Sequence, residues 1–385
     1  MTVALPTVDD PLVSLVVVVY GGYERTVSSL RSLAGVIDVP TEVLVVDNAS
    51  PDGAGARVAE EVTGIRYLPQ ATNLGYGVGC DVGALHARGE LVGFLNNDLR
   101  FDGSWLPPLV DALADPAVGA AVPMYLRDDG TIGDAGRLVG PDGEGYAYAH
   151  GAPVDHAGAA FPREVDFGGA AALLVRRDDF HAVGGFDPAF GLGYYEDTDL
   201  GFALRAIGRA TRYTPASRVT HAGGGSFGHE LHRRQVATNK PLFAERHAAA
   251  LRGRPEVSRP PLDPHRELIL RDWWFEERVL VLDRGRDLVG LAATIRDAAP
   301  RALVTWASSA AAPSERHPDV EWQGGTARLD RFVEERRFHY SAVVAHPDLA
   351  LDAALDHSQP QAVRAAADGR DDPARSGLLR RLGLA

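Results

Sequence analysis

Several short clusters of polar residues in this chain have types and spacings that suit chemistry. Asn96, Asn97 and Asp98 close the apolar run 91–95 with oxygen donors that match a hard divalent cation. The same triplet also reads as a turn cap after a strand. Asp47 closes a second apolar run and leads into residues 48–53, a dense cluster of turn formers. Glu196, Asp197 and Asp199 stand at the head of a helical pattern whose apolar positions are Leu200, Ala203, Leu204 and Ile207. Acids in a first turn also complement the helix dipole, so each of the three has a structural explanation at hand. His221 leads a loop with Gly223, Gly224 and Gly225, where an imidazole can reach a metal or a phosphate. Gly168 and Gly169 open another apolar run; paired glycines either admit a ligand to the backbone or mark a bulge.

The elements that must position these groups alternate regularly. Residues 12–20 form a β-branched run of the kind buried on both faces of a parallel sheet, stopped by Gly21 and Gly22. Residues 24–33 carry Val27, Leu30 and Leu33 at helical spacing. Strands follow at 42–47, 65–68 and 91–95, separated by helices at 54–62 and 80–87. Strand–helix alternation with short links predicts a doubly wound α/β sheet, in which ligands gather at the carboxyl edge. Asp47 and Asp98 then share that edge on different strands, one placed for the base or ribose of a nucleotide and one for a metal on its phosphates. Further on, the pattern predicts a helix over 102–113 and strands at 119–124, 167–175, 211–214 and 217–220. Residues 127–163 lack periodicity and read as loops with a hairpin, the composition of a binding loop.

Composition narrows the class. At 385 residues two domains are expected. A formal charge of −13 argues against a nucleic-acid binder. The single cysteine, Cys80, excludes an internal disulfide framework and a cysteine-based zinc site. Residues 1–11 hold two acids and no basic residue, unlike a signal peptide, and no apolar run reaches the length of a membrane span. A soluble, cytoplasmic protein is the expectation, with contact at the inner face of the membrane left open by the short segment 378–382.

In order along the chain, a Val-rich strand ending in Tyr20, then VVDNAS (45–50), NLGYGVG (73–79), FLNND (94–98), GG (168–169), GGFDPAF (184–190), YYEDTDLGFALR (194–205) and VTHAGGGSFG (219–228) resemble the family 2 glycosyltransferases. The resemblance implies the GT-A fold and an inverting transfer of a sugar from a UDP- or dTDP-sugar. The acceptor is a hydroxyl of a glycan, a lipid-linked or a small molecule, as in polysaccharide biosynthesis. The Asn-Asn-Asp variant and the late histidine are similar to the rhamnosyltransferase and galactofuranosyltransferase branch. Carried over, Asp98 and His221 become ligands of Mg²⁺ or Mn²⁺, and Asp197 the general base with Glu196 beside it. Tyr20, Asp47, Asn73, Gly75, Asn96, Asn97, Gly168 and Gly169 line the sugar nucleotide, and Asp199 anchors its helix. Asn96 stands where the family usually has an Asp, and Gly21 where an Asn usually follows the first strand.

The family-like domain is expected to span 1–250, followed by a proline-rich linker or strap over 251–277 that ends in Trp273, Trp274 and Phe275. Residues 278–360 then resemble a small Rossmann-like unit, with strands at 278–283, 302–306 and 341–346 and a helix at 288–298. No Gly-x-Gly-x-x-Gly follows Asp283, so no dinucleotide is assigned. The tail 361–385 reads as flexible. Two other readings compete: a sugar-nucleotide-binding module that has lost catalysis, and a nucleotidyltransferase on the same sheet. The latter normally needs a basic Gly-rich loop, which residues 21–24 do not provide.

Overall fold

In the computed structural model the described residues are 3–221, 229–255 and most of 264–366. The linker prolines within 256–263, Trp274, the glycine loop after His221 and segment 378–382 lie outside them. The chain divides into two compact units, one of residues 1–154 and 163–253, the other of residues 155–162 and 254–385.

The first unit is built on a mixed sheet. Its strands are β1 (Val13–Val19), β2 (Thr41–Asp47), β3 (Ile65–Pro69), β4 (Leu91–Leu95), β5 (Val118–Leu126), β6 (Arg163–Val165), β7 (Ala172–Arg176) and β8 (Ala210–His221). They lie in the order β6-β8-β5-β7-β4-β1-β2-β3. The block β4-β1-β2-β3 is wholly parallel, and β7 runs antiparallel between β4 and β5. Every residue of β1, β2 and β4 is buried, which explains their unbroken apolar character: helices cover both faces. The helices of the unit include α1 (Tyr23–Ala34), α2 (Ala54–Glu61), α3 (Tyr76–His86), α4 (Leu106–Ala112), α5 (Glu196–Ala206) and α6 (His229–Arg246).

Two expectations change in detail. The strand read over 167–175 begins only at Ala172, because the Tyr125 hydroxyl accepts from the Ala172 N–H and donates to the Gly169 carbonyl. The preceding residues are thereby held off the ladder. Gly168 packs so closely on Val122 that a Cβ there would lie 1.9 Å from Val122 Cγ1. The short strands read at 211–214 and 217–220 are one strand, β8. Its pairing steps from Thr214↔Pro123 to Arg218↔Met124, so a bulge absorbs Pro215, which reads as a breaker in sequence. The irregular region contains a hairpin, Arg137–Val139 against Gly145–Ala147, and a strand Ile132–Asp134 beside β5.

The second unit is a five-stranded parallel sheet in the order Glu321–Gln323, Ala302–Ser308, Glu277–Asp283, Ala342–Ala345, Val363–Ala366. This is a Rossmann-like arrangement with two strands more than the hydropathy pattern revealed; both are too short to register. Glu321 is wholly buried and accepts from Arg271 at 3.1 Å, Arg336 at 3.2 Å and Thr305 at 2.9 Å. Burial raises its carboxyl, but the two guanidinium groups outweigh it and hold the group well below the usual carboxylate range.

Candidate active site

The carboxyl ends of β1, β2 and β4 open onto a cavity of about 600 Å³ in the first unit. Register explains its donor wall. Leu99 and Arg100 pair antiparallel with the end of β8, His221 opposite Leu99, so a residue far along the chain returns beside Asp98. His221 Nε2 lies 3.3 Å from Asp98 Oδ1 and 3.4 Å from Asn96 Nδ2. When Asn96 donates to Nε2, the imidazole lone pair faces a carboxylate oxygen, a repulsive pair unless a proton or a cation lies between them. Asp98 Oδ1 is buried and accepts no hydrogen bond. Burial pushes the Asp98 carboxyl up, but His221 and Arg25 outweigh it and keep the group below the usual range, hence ionised. A buried carboxylate oxygen beside an imidazole nitrogen fits a divalent cation. Among the described residues no cluster of three or more His, Cys, Asp or Glu could hold a metal unaided. Asp98 and His221 are therefore a partial ligand set, and a bound cation would draw its other ligands from phosphate and water.

The opposite wall is the first turn of α5. Asp197 accepts from the Thr198 N–H at 2.7 Å and from the Ala170 N–H at 3.3 Å, which aims it beside the Gly169–Ala170 backbone. Burial raises its carboxyl above 3.8, with Arg137 pulling against the rise. Glu196 has no such relief: burial and then the Asp197 charge raise it to about 8, and its Oε2 has no hydrogen-bond partner. Environment rather than residue type thus sets the two acids apart: Glu196 is raised by burial and by its neighbour's charge, while Arg137 and two backbone N–H groups oppose the rise of Asp197. The turn that presents them is strained, with Tyr194 at φ 70° and Tyr195 at φ 75°. Asp199 faces away and accepts from Arg246 at 2.9 Å and His247 at 2.7 Å, the anchoring role expected of it.

Of the residues singled out in sequence, Tyr20, Asn73, Gly75, Asn96, Asn97, Asp98, Gly169, Glu196, Asp197 and His221 all reach the cavity wall. Asp47 and Gly168 do not. The Asp47 carboxylate is spent within its own turn, accepting from the Ser50 N–H and the Tyr67 hydroxyl, while Gly168 turns onto Val122. Asn97 touches the cavity, but its amide donates to Thr26 Oγ1 at 2.9 Å, tying the turn to α1. Gly75 sits at φ 84° with its Cα against the Gly191 carbonyl, where a Cβ would approach to 2.4 Å. That contact joins the Asn73–Gly75 turn to the loop before α5. Tyr125, Asp134, Arg137 and Asn48 also belong to the site. Asn48 is visible in sequence as the neighbour of Asp47; Arg137 and Asp134, which are ion-paired, lie in the stretch without periodicity and carry no local signal.

A mostly parallel sheet with this two-walled cavity at its carboxyl edge has the GT-A form, and residues 14–163 match the family model described as glycosyl transferase family 2. Residues 14–163 are thus similar to the family 2 glycosyltransferases. The N-acetylglucosaminyl-diphospho-decaprenol L-rhamnosyltransferase of Mycobacterium tuberculosis is 29% identical over 246 residues, covering 57% of this chain and 80% of that protein. The O-antigen biosynthesis protein RfbC of Myxococcus xanthus is 34% identical over 146 residues, 36% of this chain and 11% of the relative. Among solved structures, a mannosyltransferase from Pyrobaculum calidifontis in complex with GDP-Man and Mn²⁺ aligns with a TM-score of 0.45 at 21% identity, over 70% of this chain and 74% of that one.

Proposed function

We propose that this glycosyltransferase is inverting and cation-assisted, and that it takes its sugar from a UDP- or dTDP-sugar. The observation that supports the reading is that Asp98 and His221 line one wall of a single cavity and Asp197 the other. The acceptor hydroxyl gives its proton to Asp197 as its oxygen bonds to the anomeric carbon, and the bond from that carbon to the diphosphate oxygen breaks on the opposite side. Protonated Glu196 orients the acceptor and keeps a second negative charge away from the base. A divalent cation, when bound, offsets the charge that grows on the leaving diphosphate. Asp98 and His221 would hold it, Asn96 orients His221, and Tyr20, Asn73 and Gly75 border the nucleotide. The name of the mycobacterial relative supports a lipid-linked glycan as acceptor. Among the described residues no helix is long and apolar enough to cross a membrane.

The test is Asp197→Asn, with nucleotide binding and turnover measured across a panel of UDP-, dTDP- and GDP-sugars with and without Mn²⁺ or Mg²⁺. Turnover is expected to fall roughly 10²- to 10⁴-fold with nucleotide binding retained. Near-wild-type turnover would remove Asp197 as the base, and wild-type protein that binds donor without ever turning it over would make the chain a binding module.

A further inference from the structure

Asp197 is only as well placed as the turn before it, and that turn cannot hold itself. Residues Gly191 and Gly193 adopt φ 67° and 152°, and Tyr194 and Tyr195 continue in the left-handed region, which side-chain-bearing residues avoid. Helix α5 also lacks a side-chain N-cap. The conformation is imposed from α6, a helix with no part in the proposed chemistry. From it, Asn239 is 2% exposed and its amide nitrogen reaches the carbonyls of Phe190 at 2.8 Å, Gly193 at 3.0 Å and Tyr194 at 2.8 Å. Three carbonyls converging on one atom require a donor, and among uncharged side chains an amide nitrogen with two hydrogens serves them best. The same helix stacks His232 on Tyr194, rings 4.5 Å apart and 16° from parallel, and ends in Arg246 on Asp199.

We infer that Asn239 is a positioning residue: it clamps the 190–195 turn so that the first turn of α5 presents Asp197 to the cavity in register with the donor wall. The inference rests on the proposed role of Asp197. A displacement of the base acts first on turnover; the Gly191 carbonyl also packs on Gly75, so nucleotide affinity is expected to change, but by less than kcat.

The experiment uses the full chain with Asn239→Ala, Asn239→Ser (which keeps one donor), the exposed neighbour Thr238→Ala and Asp197→Asn. Turnover is read as release of nucleoside diphosphate from UDP- and dTDP-sugars, and affinity as binding of UDP and dTDP with Mn²⁺. Thermal unfolding establishes the folded fraction. The expected result is a graded loss of kcat, at least tenfold for Asn239→Ala and smaller for Asn239→Ser, with a clearly smaller change in nucleotide affinity and Thr238→Ala silent. Wild-type kcat in both Asn239 variants, or a loss that only tracks the folded fraction or the nucleotide affinity, overturns the inference. If Asp197→Asn is inactive while the Asn239 variants are fully active, the clamp alone is refuted; if Asp197→Asn itself turns over normally, the base assignment fails first.

Discussion

Replacing Glu196 by Gln should stabilise the protein even though it alters the active site, and the gain should grow with pH. Burial and then the Asp197 charge raise the Glu196 carboxyl from its ordinary 4.5 to about 8. An acid raised in the folded state contributes its full share of stability below 4.5 and loses it as pH climbs from 4.5 to about 8, because the unfolded chain ionises first. At pH 7 the unfolded state has gained the pH interval from 4.5 to 7, on the order of 3 kcal/mol at ~1.4 kcal/mol per pH unit. Gln cannot ionise in either state and so removes that gain. Its second amide N–H meets a pocket in which Glu196 Oε2 already lacks a partner, at a cost of about 1 kcal/mol. The variant should therefore be more stable by about 2 kcal/mol at pH 7, and the difference should widen by about 4 kcal/mol between pH 5 and 8. Urea unfolding of both proteins at pH 5, 6, 7 and 8 measures this. The slope is the diagnostic, since any fixed packing cost shifts all points equally. A stability difference that stays flat with pH would refute the claim that Glu196 is held protonated.

The same protonation has a kinetic counterpart: wild-type kcat/KM should fall on the alkaline side near pH 8, and Glu196→Gln should lose that limb while keeping the acid limb of Asp197. Removing either proposed cation ligand, with His221→Ala or Asp98→Asn, should abolish the dependence of UDP and dTDP binding on Mn²⁺; an unchanged cation titration in both would dissociate these residues from the metal. In the second unit, Glu321→Ala should cost about 3–5 kcal/mol by leaving Arg336 buried without its counter-ion and Arg271 with Asp272, read by chemical unfolding. Because the Glu321 carboxyl is held low, its contribution is present above its ordinary 4.5 and is lost as pH falls, so the variant and wild type should converge in acid.

Much of the first unit was legible from residue order alone. The runs 12–20, 42–47 and 91–95 are apolar without alternation because both faces of those strands are covered, and that requirement is written into each strand locally. The polar residues that end them mark the carboxyl edge for the same reason, so Asp98 and Asn96 were placed without coordinates. The helix opening at Glu196 was equally plain, as was the separate role of Asp199. Residues 127–163 were different: three-residue strands and a hairpin leave no periodicity, so Arg137 and Asp134 gave no sign of reaching the cavity.

What tertiary structure alone decided is which of these polar groups remain available. Asp47 and Asp98 look equivalent in sequence, each a carboxylate closing a buried strand. The fold consumes the first in hydrogen bonds from Ser50 and Tyr67 and leaves the second with a bare buried oxygen beside His221. Glu196 and Asp197 are likewise neighbours of one chemical type, and the Ala170 and Thr198 N–H groups, the nearby Arg137 and the missing hydrogen-bond partner of Glu196 Oε2 give them different environments. Residue type and local order fix where carboxylates stand along an edge. Desolvation and hydrogen bonding from residues distant in sequence set their charge, and those partners exist only once the chain has folded.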